Sequence, residues 1–495
     1  MTQSPKKHRE AAPGIKQSRA EASSPSTPQS LYAKREPIYP KLAHGTFRNL
    51  KWMALIVLLG IYYITPWIRW DRGPDAPSQA VLVDFENARF YFFWIEIWPQ
   101  EAYYITGLLI LAALGLFLIT SLFGRVWCGY ACPQTIWTDL FIHVERFFEG
   151  DRNARIKLNK SKWTTGKFFK KTGKHIVWLL IAAATGGVWI FYFHDAPSIA
   201  RDFFVGQAPA TSYIFAGLLT FTTYVLAGYM REQVCTYMCP WPRIQAAMID
   251  EEALNVSYRY DRGEARGPHK KGATWEGRGD CIDCRQCVAV CPVGIDIRDG
   301  LQLECIGCAL CIDACDEIML KVDRPKGLIA YDTDANIQRR LKGLKSSFNL
   351  LRPRTVTYAI LFALVGSVML YGLLNRSNLD VNIQRDRQPN FVQLSDGGVR
   401  NGYTIKILNK ERQERILTLD IVGLNNPVIT IAGKSGQADP VFKAPPDETI
   451  DYKIYLAVAD VSKLENRSVI KLVFKDQKTN ETTQSDSIFI SRDTR

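Results

Sequence analysis

CIDCRQCVAVCP, residues 281–292, is answered at 305–316 by CIGCALCIDACD. Thirteen residues separate Cys291 from Cys305, and eight of the chain's twelve cysteines fall within these thirty-five positions. Each half has the spacing C-x2-C-x2-C-x3-C. This is the bacterial ferredoxin run, in which three close thiolates hold one [4Fe–4S] cluster and the fourth crosses to the other. The two-residue gaps let a tight turn wrap three sulfurs around one cube. On that rule one cluster takes Cys281, Cys284, Cys287 and Cys315, and the other takes Cys305, Cys308, Cys311 and Cys291. A pair of zinc knuckles or disulfides is the alternative, but zinc sites rarely use a third cysteine at x2 plus a fourth at x3, twice over. Pro292 follows the first run, whereas Asp316 follows the second. That departure touches the local turn and leaves the ligand spacing intact.

Outside this window the composition is mixed. The formal charge of +13 on 495 residues would suit nucleic acid, but the basic residues crowd beside apolar stretches, so nucleic acid is not expected as a partner. All cysteines lie between 128 and 315, with none in the last 180 residues. Metal and redox use in a reducing compartment fits that distribution better than a disulfide-stapled exterior.

Residues 1–45, rich in Ser, Pro, Lys and Arg, read as a disordered basic arm. Apolar stretches near 51–68, 103–123, 175–193, 211–229 and 355–374 each approach the roughly twenty residues of a membrane-spanning helix. The segment 124–174 carries eleven Lys or Arg, against two in 70–101 and one in 194–210. The positive-inside rule therefore places the N-terminus, that loop and the cluster segment in the cytoplasm, and the fifth span exports the C-terminus. No ionisable side chain falls in the middle of a span, which disfavours a proton or ion pump.

Two of the spans end alike. VWCGYACPQTIW (126–137) and QVCTYMCPWPRI (233–244) share C-x3-C-P and a tyrosine. Ile136, Trp137, Leu140, Phe141 and Val144 then recur at helical spacing, as in a helix lying in the membrane surface. Pro133 and Pro240 suit the first turn of such helices. In a helical turn, sulfurs at i and i+4 share a face, so Cys128 with Cys132, or Cys235 with Cys239, can grip a soft ion such as Cu(I). If the two hairpins are related by pseudo-symmetry, all four thiols meet. Met230 and Met238 lie nearby. A redox dithiol and inert buried thiols are the alternatives. His175 and His194 sit at opposite ends of one span and do not make a haem pair. His143, on the helix after the first elbow, is a weak metal candidate, with solvated surface the favoured reading.

From 376 onward, strand-like runs at 403–408, 415–422, 428–432, 450–458, 468–474 and 486–490 are separated by turn signals such as Asn425-Asn426-Pro427. They predict an immunoglobulin-like β-sandwich held by packing alone. The expected organisation is thus a multi-domain chain. It comprises the arm 1–45, a four-span α-helical membrane domain 46–250, a ferredoxin-like 2[4Fe–4S] segment 251–350, a fifth transmembrane helix 351–375 and an exported sandwich 376–495.

This order of parts resembles the cytochrome c oxidase accessory proteins of the CcoG, FixG or RdxA family. The resemblance is specific at RGEARG (262–267), GIDIRDGLQLECIGCALCIDAC (294–315) and PKGLIAYD (325–332). It implies a bacterial inner-membrane protein of cbb3-type oxidase assembly that reduces Cu(II) to Cu(I) before copper enters the oxidase. It also implies two [4Fe–4S] clusters on the eight cysteines named above, with oxidase subunits or copper assembly factors as partners. The electron donor and any self-association stay open. Runner-up readings are a quinol-linked electron relay to a partner protein, a non-redox assembly scaffold and a copper chaperone.

Overall fold

The computed structural model describes residues 37–73, 76–269, 272, 274–433, 440–460 and 464–491. It divides into two compact units, 1–369 and 370–495. Among the described residues, five helices are long and apolar enough to cross a membrane: Thr46–Trp67, Pro99–Phe123, Thr165–Ile190, Ala210–Met230 and Pro353–Leu374. They match the five expected stretches. Their flanks carry apolar side chains outward, among them Ile56, Leu109, Leu180, Leu218 and Leu364, all exposed. A hydrocarbon solvent covers such surfaces without cost, whereas water does not.

In chain order, α1 (Thr46–Ile64) is the first span and α2 (Tyr103–Phe123) the core of the second. Between them lies a three-stranded antiparallel meander, β1 (Val81–Asp84), β2 (Arg89–Phe92) and β3 (Ile95–Ile97), which the sequence reading did not anticipate. The short helix α3 (Val126–Tyr130) carries the first elbow, followed by α4 (Pro133–Glu149) and α5 (Arg152–Lys160). Then come α6 (Thr165–Ile190), α7 (Ala196–Val205) and α8 (Ala210–Thr223). The last of these runs on as a π-helical turn, Tyr224–Met230, and a second π-turn, Val234–Met238, carries the other elbow before α9 (Trp241–Met248). Small residues let α6 and α8 approach closely: a Cβ on Gly186 would lie 2.5 Å from the Ala216 carbonyl oxygen.

Residues 37–45 are not a free arm. The Lys41 amide donates to the Ala289 carbonyl at 2.8 Å, the Leu42 amide to Asp151 at 3.1 Å, and Arg146 and Arg152 reach the carbonyls of Pro40 and Tyr39. Satisfied backbone groups and a buried Ala43 fix this strap where composition alone suggested disorder. The rest of the expected arm lies outside the described residues.

The cluster segment is built on a two-stranded sheet, β4 (Asn255–Tyr258) with β5 (Ile329–Asp332). Around it lie α10 (Tyr260–Gly263), α11 (Gln286–Val290), α12 (Leu310–Lys321) and α13 (Asp334–Leu341), and α14 (Pro353–Leu374) is the fifth span. The expected boundary at 250/251 is not a gap. This segment and the membrane helices form one unit, because Asp313 of α12 accepts the Phe47 and Arg48 amides at 3.2 and 2.7 Å and so caps the first span.

The C-terminal unit, taken by itself, is an antiparallel sandwich. Its strands are β6 (Leu379–Arg385), β7 (Val392–Gln393), β8 (Val399–Asn409), β9 (Arg415–Val422), β10 (Val428–Ile431), β11 (Val441–Ala444), β12 (Glu448–Val458), β13 (Arg467–Asp476) and β14 (Thr482–Ile490). One sheet runs β10-β12-β8-β6 with β7 on β8, and the other runs β11-β9-β13-β14. Alternate residues of β8, Tyr403, Ile405 and Ile407, face Leu417, Phe442, Leu472, Phe474 and Phe489 in one core. The six expected strands are present. β6, β7 and β11 are additional; β6 and β11 bury the alternate residues Leu379 and Val381, and Phe442 and Ala444.

Candidate iron–sulfur centre and thiol elbows

The two cysteine runs fold as near copies twenty-four residues apart. Asp283 and Gly307 are left-handed (φ +54° and +66°), and so are Arg285 and Ala309 (φ +54° and +59°). Three of these four are not glycine, a local strain that persists only when the surroundings fix it. The alternation of left-handed residues curls each loop, the kind of backbone that suits an iron–sulfur site. Arg285 and Ala309 then stand at the N-termini of α11 and α12, which carry the third and fourth thiols of each half.

The thiols that influence one another agree with the expected crossing of the fourth cysteines. Cys315 is perturbed by Cys287, Cys281 and Cys284. Cys291 is perturbed by Cys308 and Cys305, and Cys311 by Cys308, Cys305 and Cys291 before Cys287. Cys291, Cys305, Cys308 and Cys311 also line one enclosed cavity, together with Cys287, Ile295, Ile297 and Ile306. Burial raises these thiols: Cys287 and Cys305 to about 11, Cys291 to about 12, and Cys311 and Cys315 upward as well. Bare thiolates would be costly there, and a cationic iron centre reverses that logic. Among the described residues no three His, Cys, Asp or Glu side chains converge on a single ion. Five thiols around one small, largely apolar void fit a four-iron cube better than one metal ion. Cys284 alone of the eight is exposed.

The elbows differ from the expected single helical turns. Cys128 lies in α3, but Cys132 follows its end and caps α4, with Pro133 in the first turn as predicted. Cys235 sits in the second π-turn and Cys239 caps it. Pro240 precedes α9 instead of entering it, and Pro242 takes the first-turn place. The helical-face argument for each pair therefore fails, because the chain turns between the two sulfurs. The four thiols nevertheless share one neighbourhood: Cys128 is perturbed by Cys132, Cys235 and Cys239, and Cys235 by Cys132 and Cys239. Burial, then the neighbouring thiol Cys132, pushes Cys128 and Cys235 up to about 12. The Cys128 thiol donates to Gln245 Oε1 on α9 at 3.3 Å, and Gln134 Nε2 donates to the Leu226 carbonyl at 2.8 Å. Each elbow is thus tied to the other.

Both elbows sit against the 305–311 loop. Cys128 and Cys235 pack on the apolar group formed by Ile306, Cys308 and Leu310. A Cβ on Gly129 would meet the Cys308 N and Cα and the Gly307 carbonyl carbon at 3.0 Å. Tyr130 and Tyr331 donate to the Cys308 and Gly307 carbonyls at 3.2 and 2.8 Å. Arg125, buried, joins all three parts. Its guanidinium donates to the Leu303 carbonyl, to Cys305 O at 2.9 Å and to Pro242 O at 3.0 Å. Arg125, Gly129, Gln245 and Tyr331 escaped the sequence reading. Only the placement of Arg125 and Gly129 beside Cys128 could have flagged two of them. Met238 is exposed. His143 is exposed and meets Trp52 edge-on at 4.7 Å, while His175 is the eleventh of the 26 residues of α6 and His194 lies beyond its end.

Comparison with known proteins agrees with this geometry. Residues 230–334 match a 4Fe-4S dicluster domain, 105–151 a 4Fe-4S binding domain, and 369–492 the IG-like fold at the C-terminal of FixG. The nitrogen fixation protein FixG of Rhizobium meliloti is 49% identical over 481 residues, covering 91% of this chain and 92% of that one. Protein RdxB of Cereibacter sphaeroides is 49% identical over 469 residues, with 94% and 98% covered. Protein RdxA of the same organism is 51% identical over 416 residues, with 83% and 88% covered. A chain with these motifs in this order, aligned nearly end to end with such relatives, belongs to the FixG/RdxA/RdxB family of membrane iron–sulfur proteins.

Proposed function

We propose that this chain is an electron-transfer protein of a bacterial cytoplasmic membrane that reduces Cu(II) to Cu(I) for the copper centre of a cbb3-type oxidase. The observation that carries the reading is the direct packing of both thiol elbows on the 305–311 loop. Cys281, Cys284, Cys287 and Cys315 would hold one [4Fe–4S] cluster, and Cys291, Cys305, Cys308 and Cys311 the other. Such clusters, when bound, supply single electrons. Cu(II), the substrate, takes one electron and becomes Cu(I), and soft thiolates of Cys128, Cys132, Cys235 and Cys239 favour the reduced ion. Two facing thiolates suffice for Cu(I), so the lack of a three-ligand group does not oppose this. The basic segment 124–174 supports a cytoplasmic side for the clusters, with the sandwich then exported by the fifth span. There the sandwich would meet oxidase subunits or copper assembly factors.

The test is anaerobic. Purified protein is reduced with limiting dithionite, then given Cu(II) and a Cu(I)-specific chromophore, beside a Cys128→Ser/Cys235→Ser variant. Reoxidation of the protein's visible bands as Cu(I) appears, slowed in the variant, is expected. Bands that stay bleached beside unreacted Cu(II) would sink the reading. A second reading has its own support, because the 4Fe-4S match at 105–151 includes Cys128 and Cys132. On it the elbow thiols hold a third cluster. Iron analysis separates the two: about eight irons per chain for two clusters, about twelve for three.

A further inference from the structure

A cleft at the elbow end of α6 and α8 is used by nothing described so far. It has two connected lobes of about 480 and 720 Å³ that share Asn159, Lys171 and His175. That is the size range of small-molecule sites. The π-helical turn Tyr224–Met230 makes it. In a π-turn residues five apart share a face, so Tyr224 and Tyr229 both look towards α6, with their hydroxyls 3.5 Å apart. Such turns often mark functional sites. Tyr224 OH lies 3.0 Å from His175 Nδ1. The His175 and Tyr229 rings are near parallel, 16° apart with centroids at 5.8 Å, and Trp178 stands at 90° to His175. Trp178 is itself held by donating to the Phe141 carbonyl at 3.0 Å.

We propose that this cleft binds the head group of a membrane quinone. Aromatic walls match a flat ring, and the cleft opens past Phe168, Ile176 and Leu179, which are exposed on a membrane-spanning helix. That side admits an isoprenoid tail from lipid. When His175 Nδ1–H donates to the Tyr224 oxygen, the phenol proton is directed at a ring oxygen of the ligand. A lipid phosphate is the competing occupant, and the charges argue against it. Lys171 and Lys174 pair with Glu149 at 2.9 and 2.8 Å. Arg155 and Arg231 pair with Glu145. Lys167 donates to the Ser161 carbonyl at 2.7 Å. Each cation of the cleft is therefore already engaged. The far wall includes Glu232, which is close enough to perturb Cys235, so the ligand would sit beside a thiol elbow. The inference does not depend on copper reduction.

The experiment uses the full chain in lipid nanodiscs with an azido-ubiquinone photoprobe, and maps the labelled peptides by mass spectrometry. Excess decylubiquinone competes in one arm and phosphatidylglycerol in another. Label on peptides covering His175 or Tyr224, displaced by decylubiquinone and reduced roughly fivefold by Tyr224→Phe, is expected for the loss of one hydrogen bond. His175→Ala should lower it at least as far, and the iron content of each variant checks its folding. Label displaced by phosphatidylglycerol but not by decylubiquinone overturns the proposal in favour of an anionic lipid site. Label elsewhere, or label on this cleft that ignores Tyr224→Phe, overturns it too. The competition arms on the unmodified chain decide even if a variant fails to fold.

Discussion

Gly129 and Arg125 hold the first elbow on the 305–311 loop, one by lacking a side chain and one by the reach of a fork. Gly129→Ala would drive a methyl into the backbone of Gly307 and Cys308, at a cost of about 1–3 kcal/mol if the contact cannot open. We expect iron content to persist and electron delivery to Cu(II) to slow at least tenfold, read by stopped-flow absorbance. Unchanged rates would show that this contact is not on the electron route. Arg125→Lys keeps the charge but loses the fork that spans Cys305 O and Pro242 O. It should lower the thermal midpoint of the clustered unit, followed by loss of visible absorbance. Protonation adds a third test. Cys128 and Cys235 are pushed up to about 12 by burial, so at neutral pH both carry protons that Cu(I) must displace. Cu(I) affinity should rise about tenfold per pH unit for each proton released, measured by competition with a Cu(I) chelator. A flat profile would remove these thiols from the site. The eight cluster cysteines are legible in the sequence because their spacing is local and dictated by one cube. Arg125 is not, because its acceptors are carbonyls more than a hundred residues away and any surface arginine looks the same in sequence.

At the scale of elements, the paired left-handed residues make the two cysteine loops equivalent, and α11 and α12 then send their last thiols across to the opposite group. Crossing predicts a specific pattern of loss. Cys291→Ser should remove the same electron paramagnetic resonance signal as Cys305→Ser, and Cys315→Ser the same signal as Cys281→Ser, each at about half the parental iron. If Cys291→Ser matched Cys281→Ser instead, the loops would ligate without crossing. The motif predicts this crossing; the five spans were readable, since twenty apolar residues in a row admit few other fates. The elbows were only half readable. A period of 3.6 residues assumes a regular helix, whereas the chain enters the second elbow through two π-turns and leaves the first through a break at Ala131. Tyr224 and Tyr229 share a face only because of that irregularity. The meander Val81–Ile97 escaped because its three short strands lie in a loop whose aromatic residues look like membrane-interface anchors.

The whole molecule poses one question that its elements leave open, which is the side of the membrane on which each unit works. If all five helices cross, the odd number would put the N-terminal strap and the C-terminal sandwich on opposite sides. Charge predicts the direction: eleven Lys or Arg between 124 and 174, against two in 70–101 and one in 194–210. Several of those cations are held by the fold: Arg155 and Lys174 pair with Glu145, and Lys171 pairs with Glu149. The insertion machinery nevertheless meets the unfolded loop, where all eleven count. Alkaline phosphatase, which needs an oxidising compartment to become active, reports the outcome when fused after successive loops. Fusions after residue 164 and after residue 350 should be inactive, and fusions after residue 85 and after residue 380 active. The reverse pattern would put the thiol-rich unit outside, where exposed Cys284 and the elbow thiols would face oxidation.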